Sequence, residues 1–412
     1  MSQPARVPTR LPDVVSAERY EREGYPWEDW AWLRRHEPVA WIEQPDFEPF
    51  WAITKHADIV EISKQPEIWR SEPRFAVFTT RVPPPATTQL RHLASMDPPE
   101  HAKYREITSR RLTPRKVRPL TARVEAITHA VLDEAAGLRE GDFVRDIAAP
   151  IAITVIAELL GVPEEDHERL FRWTNEVVAP EDPEFHREGT TERTADVARL
   201  ELFQYFDAMS RDRRAHPRDD LVSVIANGTV DGRLLEPLEL LSYYFTMVVA
   251  GNETVRNAMT GGLLALLEHP DQWQALQRDR GLLDTAVEEI LRWVCPVIQF
   301  CRTAARDYEL RGRTIRAGES VCMFYPSANR DEEVFPDGDR FRIDRRPNRH
   351  LSFGIGEHSC LGAHLARLEL RCLFDALRTR LRHAEPSGPV ERVRSSFVGG
   401  IKRAPMRWEI SA

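Results

Sequence analysis

Between Pro237 and the dipeptide His269-Pro270 the sequence runs without an internal proline and is apolar nearly all round over residues 240–250. A proline suits the first helical turn, where its missing N–H is no loss, and it cannot continue a helix, so the two prolines mark a start and a stop. The stretch predicts one helix of about 30 residues, roughly 45 Å long, enough to cross a whole domain. A helix that is apolar on every side must be buried, so the rest of the chain has to pack around this rod. Its middle then turns polar, as Ala250-Gly251-Asn252-Glu253-Thr254 sets a pair of small residues before an acid and an alcohol. Burying such groups costs several kcal/mol, by an order-of-magnitude estimate, unless they are satisfied locally at a kink or have a task.

A second constraint lies at Phe353-Gly354-Ile355-Gly356-Glu357-His358-Ser359-Cys360-Leu361-Gly362, which places one cysteine on a glycine-rich loop. The next run, Ala363 to Arg371, has helix formers and apolar positions at Leu361, Leu365 and Leu368, so Cys360 is expected at a helix N-terminus. Unpaired N–H groups there favour a thiolate and predict a lowered thiol pKa. The glycines let the backbone turn tightly and approach a flat macrocycle. This is how a protein offers a thiolate to haem iron. A zinc reading of His358 and Cys360 lacks further ligands, since no Cys-x-x-Cys occurs.

The 42% apolar and 30% charged residues describe an ordinary globular chain, and 412 residues can bury a large core. No apolar run reaches the roughly 18 residues of a membrane span and the N-terminus has no signal-peptide core, which predicts a cytoplasmic protein without membrane insertion. The remaining cysteines, at 295, 301, 322 and 372, are scattered singly, as suits a reducing compartment. A net charge of −8 argues against nucleic-acid binding. Two basic runs depart from it: Lys103, Arg105, Arg110, Arg111, Arg115 and Lys116, and Arg342, Arg345, Arg346 and Arg349. The pattern up to about Ile62 includes the strand-like Phe50-Trp51-Ala52-Ile53-Thr54, while helical periodicity is expected near 100–112, 119–136, 149–161, 190–213, 237–269, 284–294 and 361–382.

The Phe-Gly-x-Gly-x-His-x-Cys-x-Gly loop resembles the haem-binding loop of the cytochrome P-450 family, the cysteine-ligated haem monooxygenases, at every defining position. The likeness extends over the chain from about residue 20, with the family's other signatures in order. It implies a mainly α fold with a small β-region, one catalytic domain over 1–412, and haem b between the long central helix and the helix after the cysteine loop. The β-rich parts are expected within 20–90 and 297–325, and about residues 1–15 are the candidate disordered segment. Cys360 is then the iron ligand, with Phe353, Gly354 and Gly362 shaping the loop. Thr254 matches the residue that hydrogen-bonds dioxygen, Glu253 the one that helps deliver protons through water, and Gly251 with Ala250 would leave room above the iron. Val255 stands where many relatives carry a second threonine. Glu289 and Arg292, three apart on one helix face, match the family's Glu-x-x-Arg signature, with Arg340 as third member of the ion-paired triad. His101, Arg105, Arg302 and His358 match positions that hold the haem propionates.

By the same resemblance the substrate pocket is lined by Phe75, Val77, Phe78, Met247, Ala250, Val297, Ile298, Phe300, Phe397 and Val398, an apolar set that implies a hydrophobic substrate. Gln299 is the polar candidate to orient a hydroxyl or ketone. Ala250 to Asn257, Trp173-Thr174-Asn175-Glu176 and Gly399-Gly400-Ile401-Lys402 look like the bacterial group that hydroxylates steroid side chains and branched lipids. The implied partners are O2 and electrons from NAD(P)H through a separate ferredoxin and ferredoxin reductase, because no flavin or iron–sulfur segment is present; a monomer is expected. The basic runs would meet the acidic donor. A peroxide-driven enzyme is the first alternative, disfavoured because Glu253 and Thr254 are retained. A non-catalytic thiolate-haem sensor is the second, and would have no use for a proton-delivery motif.

Overall fold

The computed structural model describes residues 12–80, 92–178, 182–185, 187 and 191–411. Eight helices position the site: α1 (Glu100–Ser109), α2 (Thr121–Ala136), α3 (Ala149–Leu160), α4 (His167–Val178), α5 (Thr191–Ala215), α6 (Pro237–Glu268), α7 (Leu283–Val294) and α8 (Ala363–Arg380). The long helix starts and stops where the prolines put it. Pro237 is its first residue, and Glu236 and Glu239 close a reciprocal capping box that satisfies N–H groups at its start. Pro270 ends α6 and opens the next helix, Pro270–Arg278, so one residue serves both boundaries.

Two packed cores meet along α6. On one side Met259, Leu263 and Leu266 pack with Ile290 of α7 and Leu370 and Phe374 of α8. On the other, Tyr244 and Val248 pack with Ile156 of α3, Trp173 of α4 and Phe206 of α5. Helix α3 ends at Gly161, whose φ of 80° is the left-handed cap that glycine adopts without strain.

The main sheet has five strands: β1 (Val39–Ile42), β2 (Phe50–Ile53), β3 (Trp69–Arg70), β4 (Gln299–Ala304) and β5 (Ser320–Phe324), in the order β1-β2-β5-β4-β3. Only the β2–β5 pairing is parallel within it. It draws on both regions where strands were expected. A second sheet was not expected: Leu381–Pro386 pairs with Pro405–Ile410, which pairs with Glu140–Asp142. The helices α4, Trp27–His36 and His56–Ser63 also lie outside the expected segments. Of the candidate disordered segment, 1–11 lies outside the described residues, whereas Val14 and Val15 are fully buried beside Trp30 and Phe324, which corrects the expectation there. Among the described residues no helix is long and apolar enough to cross a membrane.

Candidate active site

The cysteine loop is held at its start and folded back on itself. Leu351 donates its N–H to Asn329 Oδ1 (2.7 Å), and Asn329 Nδ2 donates to Ser352 Oγ (2.8 Å) and to Arg292 O (3.2 Å). Cys360 N donates to Phe353 O (2.8 Å), which closes the loop. Gly354 and Gly356 have φ of 62° and 77°, and a Cβ on Gly356 would stand 2.2 Å from Ser63 O, so both the turn and the close approach require glycine. Around Gly362 the Cβ direction meets nothing within 4 Å.

The expected buried triad is present with one substitution of membership. Glu289 accepts from Arg292 Nε and Nη2 (2.8 and 2.7 Å), from Arg345 Nε (3.0 Å) and from the backbone N–H of Arg342 (2.8 Å). Arg292 also donates to the carbonyls of Asn329 and Gly338 (2.8 Å each). The third member is therefore Arg345, and not Arg340, whose side chain is exposed and which contributes only its carbonyl, to Arg292 and Arg345. The segment after Arg340 stays against α7 through the Arg342 N–H, and it is the Arg345 side chain that turns in to reach Glu289.

Cys360 retains accessible surface although atoms enclose it, the combination expected of a group on a cavity wall. Enclosure pushes its thiol pKa up, while the Gly362 N–H and the guanidinium groups of Arg105 and Arg367 pull it down. The expected lowering is thus present in kind but outweighed by desolvation. His101 and His358 stack with ring centroids 4.2 Å apart. His358 Nε2 lies 3.1 Å from Ser71 Oγ, and Arg105 Nη2 donates to Ser359 O (2.6 Å). Burial first, then the neighbouring arginines, lowers His101 to about 4 and His358 to about 2. Arg302 is buried, and its Nη1 donates only to its own strand, at Cys301 O (2.6 Å). Four groups able to donate or carry positive charge thus converge, and none has an ion-paired carboxylate among the described residues. Two haem propionates have the charge and acceptor geometry that such a cluster lacks, and Cys360 opens toward free space, so the residues fit haem.

Helix α1, which carries His101 and Arg105, is tied to α6 by the Tyr243 hydroxyl, 3.0 Å from Tyr104 O and 2.6 Å from Thr108 Oγ1. At the middle of α6, Ala250 is exposed and Thr254 half-exposed while their neighbours Val248, Asn252, Glu253 and Val255 are buried, so positions 250 and 254 form the cavity face. Thr254 Oγ1 donates to Ala250 O (3.0 Å). Glu253 points elsewhere. Its carboxylate is ion-paired with Arg256 and accepts from Asn257 Nδ2 (3.0 Å), all buried. Arg256 Nη1 reaches Asn175 Oδ1 on α4 (3.0 Å), and Asn252 Nδ2 reaches Thr174 Oγ1 (2.9 Å), so a polar seam fastens α6 to α4. Arg256 is not among the expected site residues, though Glu253-x-x-Arg256 has the same spacing that pairs Glu289 with Arg292. Gly251 is corrected as well: a Cβ there would lie 2.7 Å from Ile156, so its small size serves the α3–α6 contact.

The aromatic members of the expected pocket come together. Phe397 lies 6.0 Å from Phe75, 5.5 Å from Phe78 and 5.5 Å from Phe300 between ring centroids. Val297 and Val398 are bridge partners behind Phe397, and Met247 is almost wholly packed in the core under α6. Val77, Ile298 and Gln299 do not line this wall. Val77 and Ile298 lie fully buried in the core on the other side of the sheet. Gln299 donates to Val77 O (3.0 Å) and accepts from Val77 N (3.1 Å), so its amide is committed to backbone and cannot orient a substrate.

The sequence profile of the cytochrome P-450 family matches residues 6–402. The steroid C26-monooxygenase of Mycolicibacterium smegmatis is 38% identical over 94% of this chain and 91% of its own length. A methyl-branched lipid omega-hydroxylase of Mycobacterium bovis is 38% identical over 92% of the chain and 90% of its own. The crystal structure of a Mycobacterium marinum cytochrome P-450 in complex with pseudoionone superposes with a TM-score of 0.90 at 34% identity, covering 98% of this chain and all of the other. With its profile matched almost end to end and the thiolate loop, triad and cation cluster in place, the chain belongs to the cytochrome P-450 family and is a haem-thiolate monooxygenase.

Proposed function

We propose that this enzyme hydroxylates a largely apolar molecule, a steroid, terpenoid or methyl-branched lipid, using O2 and two electrons that reach it from NAD(P)H through a separate ferredoxin and its reductase. The observation that carries the reading is the gathering of His101, Arg105, Arg302 and His358, four hydrogen-bond donors without a paired carboxylate among the described residues, about the Cys360 loop; the Ala250/Thr254 face of α6 and the Phe75/Phe78/Phe300/Phe397 wall agree with it. Cys360 would hold the haem as its thiolate ligand, and the bound group would supply the oxygen-activating chemistry. The protein's own part is to bind, dry and protonate. The aromatic wall offers an apolar surface that excludes water and holds the substrate. Thr254 Oγ1, bonded to Ala250 O at rest, is the cavity-facing hydroxyl that can hold a proton there. Glu253 is the nearest acid along α6, and it must leave Arg256 and Asn257 to supply one.

The ferredoxin reading is supported by exposed basic side chains in both runs: Arg115, Lys116, Arg118, Arg346 and Arg349 form no ion pair among the described residues. Val117, between Lys116 and Arg118, packs against Leu365 and Cys372 of α8, the helix that follows Cys360. Arg345 is withdrawn from the second run because it is committed to Glu289.

Thr254→Ala tests the reading: the reduced protein under carbon monoxide should keep the red-shifted band of thiolate-ligated haem, while NAD(P)H consumption yields peroxide in place of product. Unchanged product per NAD(P)H in this variant refutes the role of Thr254.

A further inference from the structure

With Gln299 committed to backbone, the aromatic wall needs another source of polar recognition, and His92 supplies it. Its ring stands edge-on to Phe75, 4.7 Å between centroids at 86°. Phe75 in turn meets Phe78 (5.6 Å) and Phe397, and Phe78 keeps 49% of its surface exposed despite these contacts, as a wall facing open space does. The segment that carries Phe397 runs alongside α6, because a Cβ on Gly400, three residues after Phe397, would lie 3.2 Å from Glu253 Oε1. Leu93 and Met96 pack in the same core as Met247 and fix the segment against α6. The His92 backbone is tied down: its carbonyl accepts from Ser95 N (2.8 Å) and Met96 N (3.2 Å), and its N–H donates to Ser95 Oγ (3.2 Å). Its ring nitrogens have no hydrogen-bond partner among the described residues.

We propose that His92 is a specificity-determining residue whose imidazole hydrogen-bonds an uncharged oxygen, a hydroxyl or ketone, at one end of an otherwise apolar substrate. The proposal rests on the hydroxylase reading above. Burial lowers the ring to about 4, so at neutral pH it presents one N–H donor and one acceptor nitrogen and no charge. A neutral donor–acceptor pair suits an alcohol or a ketone. Among the described residues a carboxylate would find no cation on this wall, and its desolvation would go uncompensated.

The test uses haem-loaded protein and the optical shift of the oxidised iron on ligand binding, with cholesterol, cholest-4-en-3-one and cholestane as one series and hexadecan-1-ol, hexadecane and hexadecanoate as another. The parent should bind at least one oxygenated neutral probe more tightly than its deoxygenated counterpart. His92→Phe, which keeps the aromatic contact, should weaken that probe by about 3- to 10-fold, the range of one neutral hydrogen bond, and leave the hydrocarbon unchanged. His92→Gln, which restores a donor and an acceptor, should recover part of the loss. Equal weakening of oxygenated and hydrocarbon probes, or none, overturns the proposal. So does hexadecanoate binding tightest in the parent and losing affinity in His92→Phe. No response of the parent to any neutral oxygenated probe, with the thiolate–haem carbon monoxide band intact, overturns the His92 assignment and leaves the haem-thiolate reading standing; absence of that band overturns the haem-thiolate reading itself.

Discussion

Exchanging Arg340 for Arg345 in the buried triad makes a quantitative prediction. Glu289 and Arg292 have 0% side-chain exposure and Arg345 has 7%, so every charge in the cluster depends on its neighbours for compensation. Glu289→Gln removes the only carboxylate and leaves two buried guanidinium groups facing each other, which should cost about 3–5 kcal/mol of stability. Arg345→Met is milder. Arg292 still neutralises Glu289, but the Nε contact to Glu289 and the Nη2 donations to Asp337 O (3.0 Å) and Arg340 O (2.9 Å) are lost. At about 1.5–3 kcal/mol for each bond involving a charged group, offset by the guanidinium no longer being desolvated, a net loss of about 2–3 kcal/mol is expected. Arg340→Met touches an exposed side chain with no bonded partner among the described residues, so its effect should stay within about 0.5 kcal/mol. Denaturant unfolding of the haem-loaded protein followed by far-ultraviolet circular dichroism gives the stabilities, and the carbon monoxide band at each denaturant concentration reports the thiolate loop that Asn329 ties to this cluster. A loss of about 2 kcal/mol is a roughly 30-fold change in the folded-to-unfolded ratio, well within reach. If Arg340→Met costs as much as Arg345→Met, the placement of the triad's third member is wrong.

Two further predictions concern buried charge. Arg256→Met should destabilise the protein by about 3–5 kcal/mol because Glu253 loses its counter-charge, Arg256→Lys should recover part of it, and adding Glu253→Gln to Arg256→Met should recover more; strict additivity of the two losses in the double variant would show that they do not form a pair. Glu369, in α8, is buried with Oε2 lacking a hydrogen-bond partner, and burial raises its pKa well above the ordinary 4.5. A carboxyl whose folded pKa is raised holds its proton better when folded, so its stabilising effect is complete below the ordinary carboxylate range and is lost as pH rises towards the raised value. Glu369→Met should therefore gain stability relative to the parent as thermal melts move from pH 5 to pH 8; a difference that does not change with pH contradicts the assignment.

The parts of the site that could be read from the sequence are those encoded by neighbours in the chain. Cys360 and its glycines form one loop, Glu289 and Arg292 one helical turn, and Pro237 and Pro270 one helix boundary each, so local stereochemistry suffices. The residues placed differently by the fold share one cause: adjacency in a motif is not a shared face. In a helix, positions 250 and 254 lie one above the other while 251 and 253 point about 100° to either side. Thr254 and Ala250 accordingly face the cavity, Gly251 faces Ile156, and Glu253 turns into the seam with Arg256. In a strand the alternation is stricter. Phe300 and Arg302 of β4 face the wall and the donor cluster, so Gln299 and Cys301, at the alternate positions, had to face the opposite core. Period-two alternation alone excludes Gln299 from the pocket once Phe300 is placed there. What it cannot supply is the replacement, because His92 reaches the wall through the packing of Leu93 and Met96 against α6, a contact between segments about 150 residues apart that no local pattern encodes. The same holds for Arg345, whose approach to Glu289 depends on how the chain returns after Arg340. Local chemistry thus fixes the cysteine loop, the Glu289–Arg292 pair and the ends of the long helix, and the packing of distant segments decides which arginines, histidines and aromatic rings come to stand beside them.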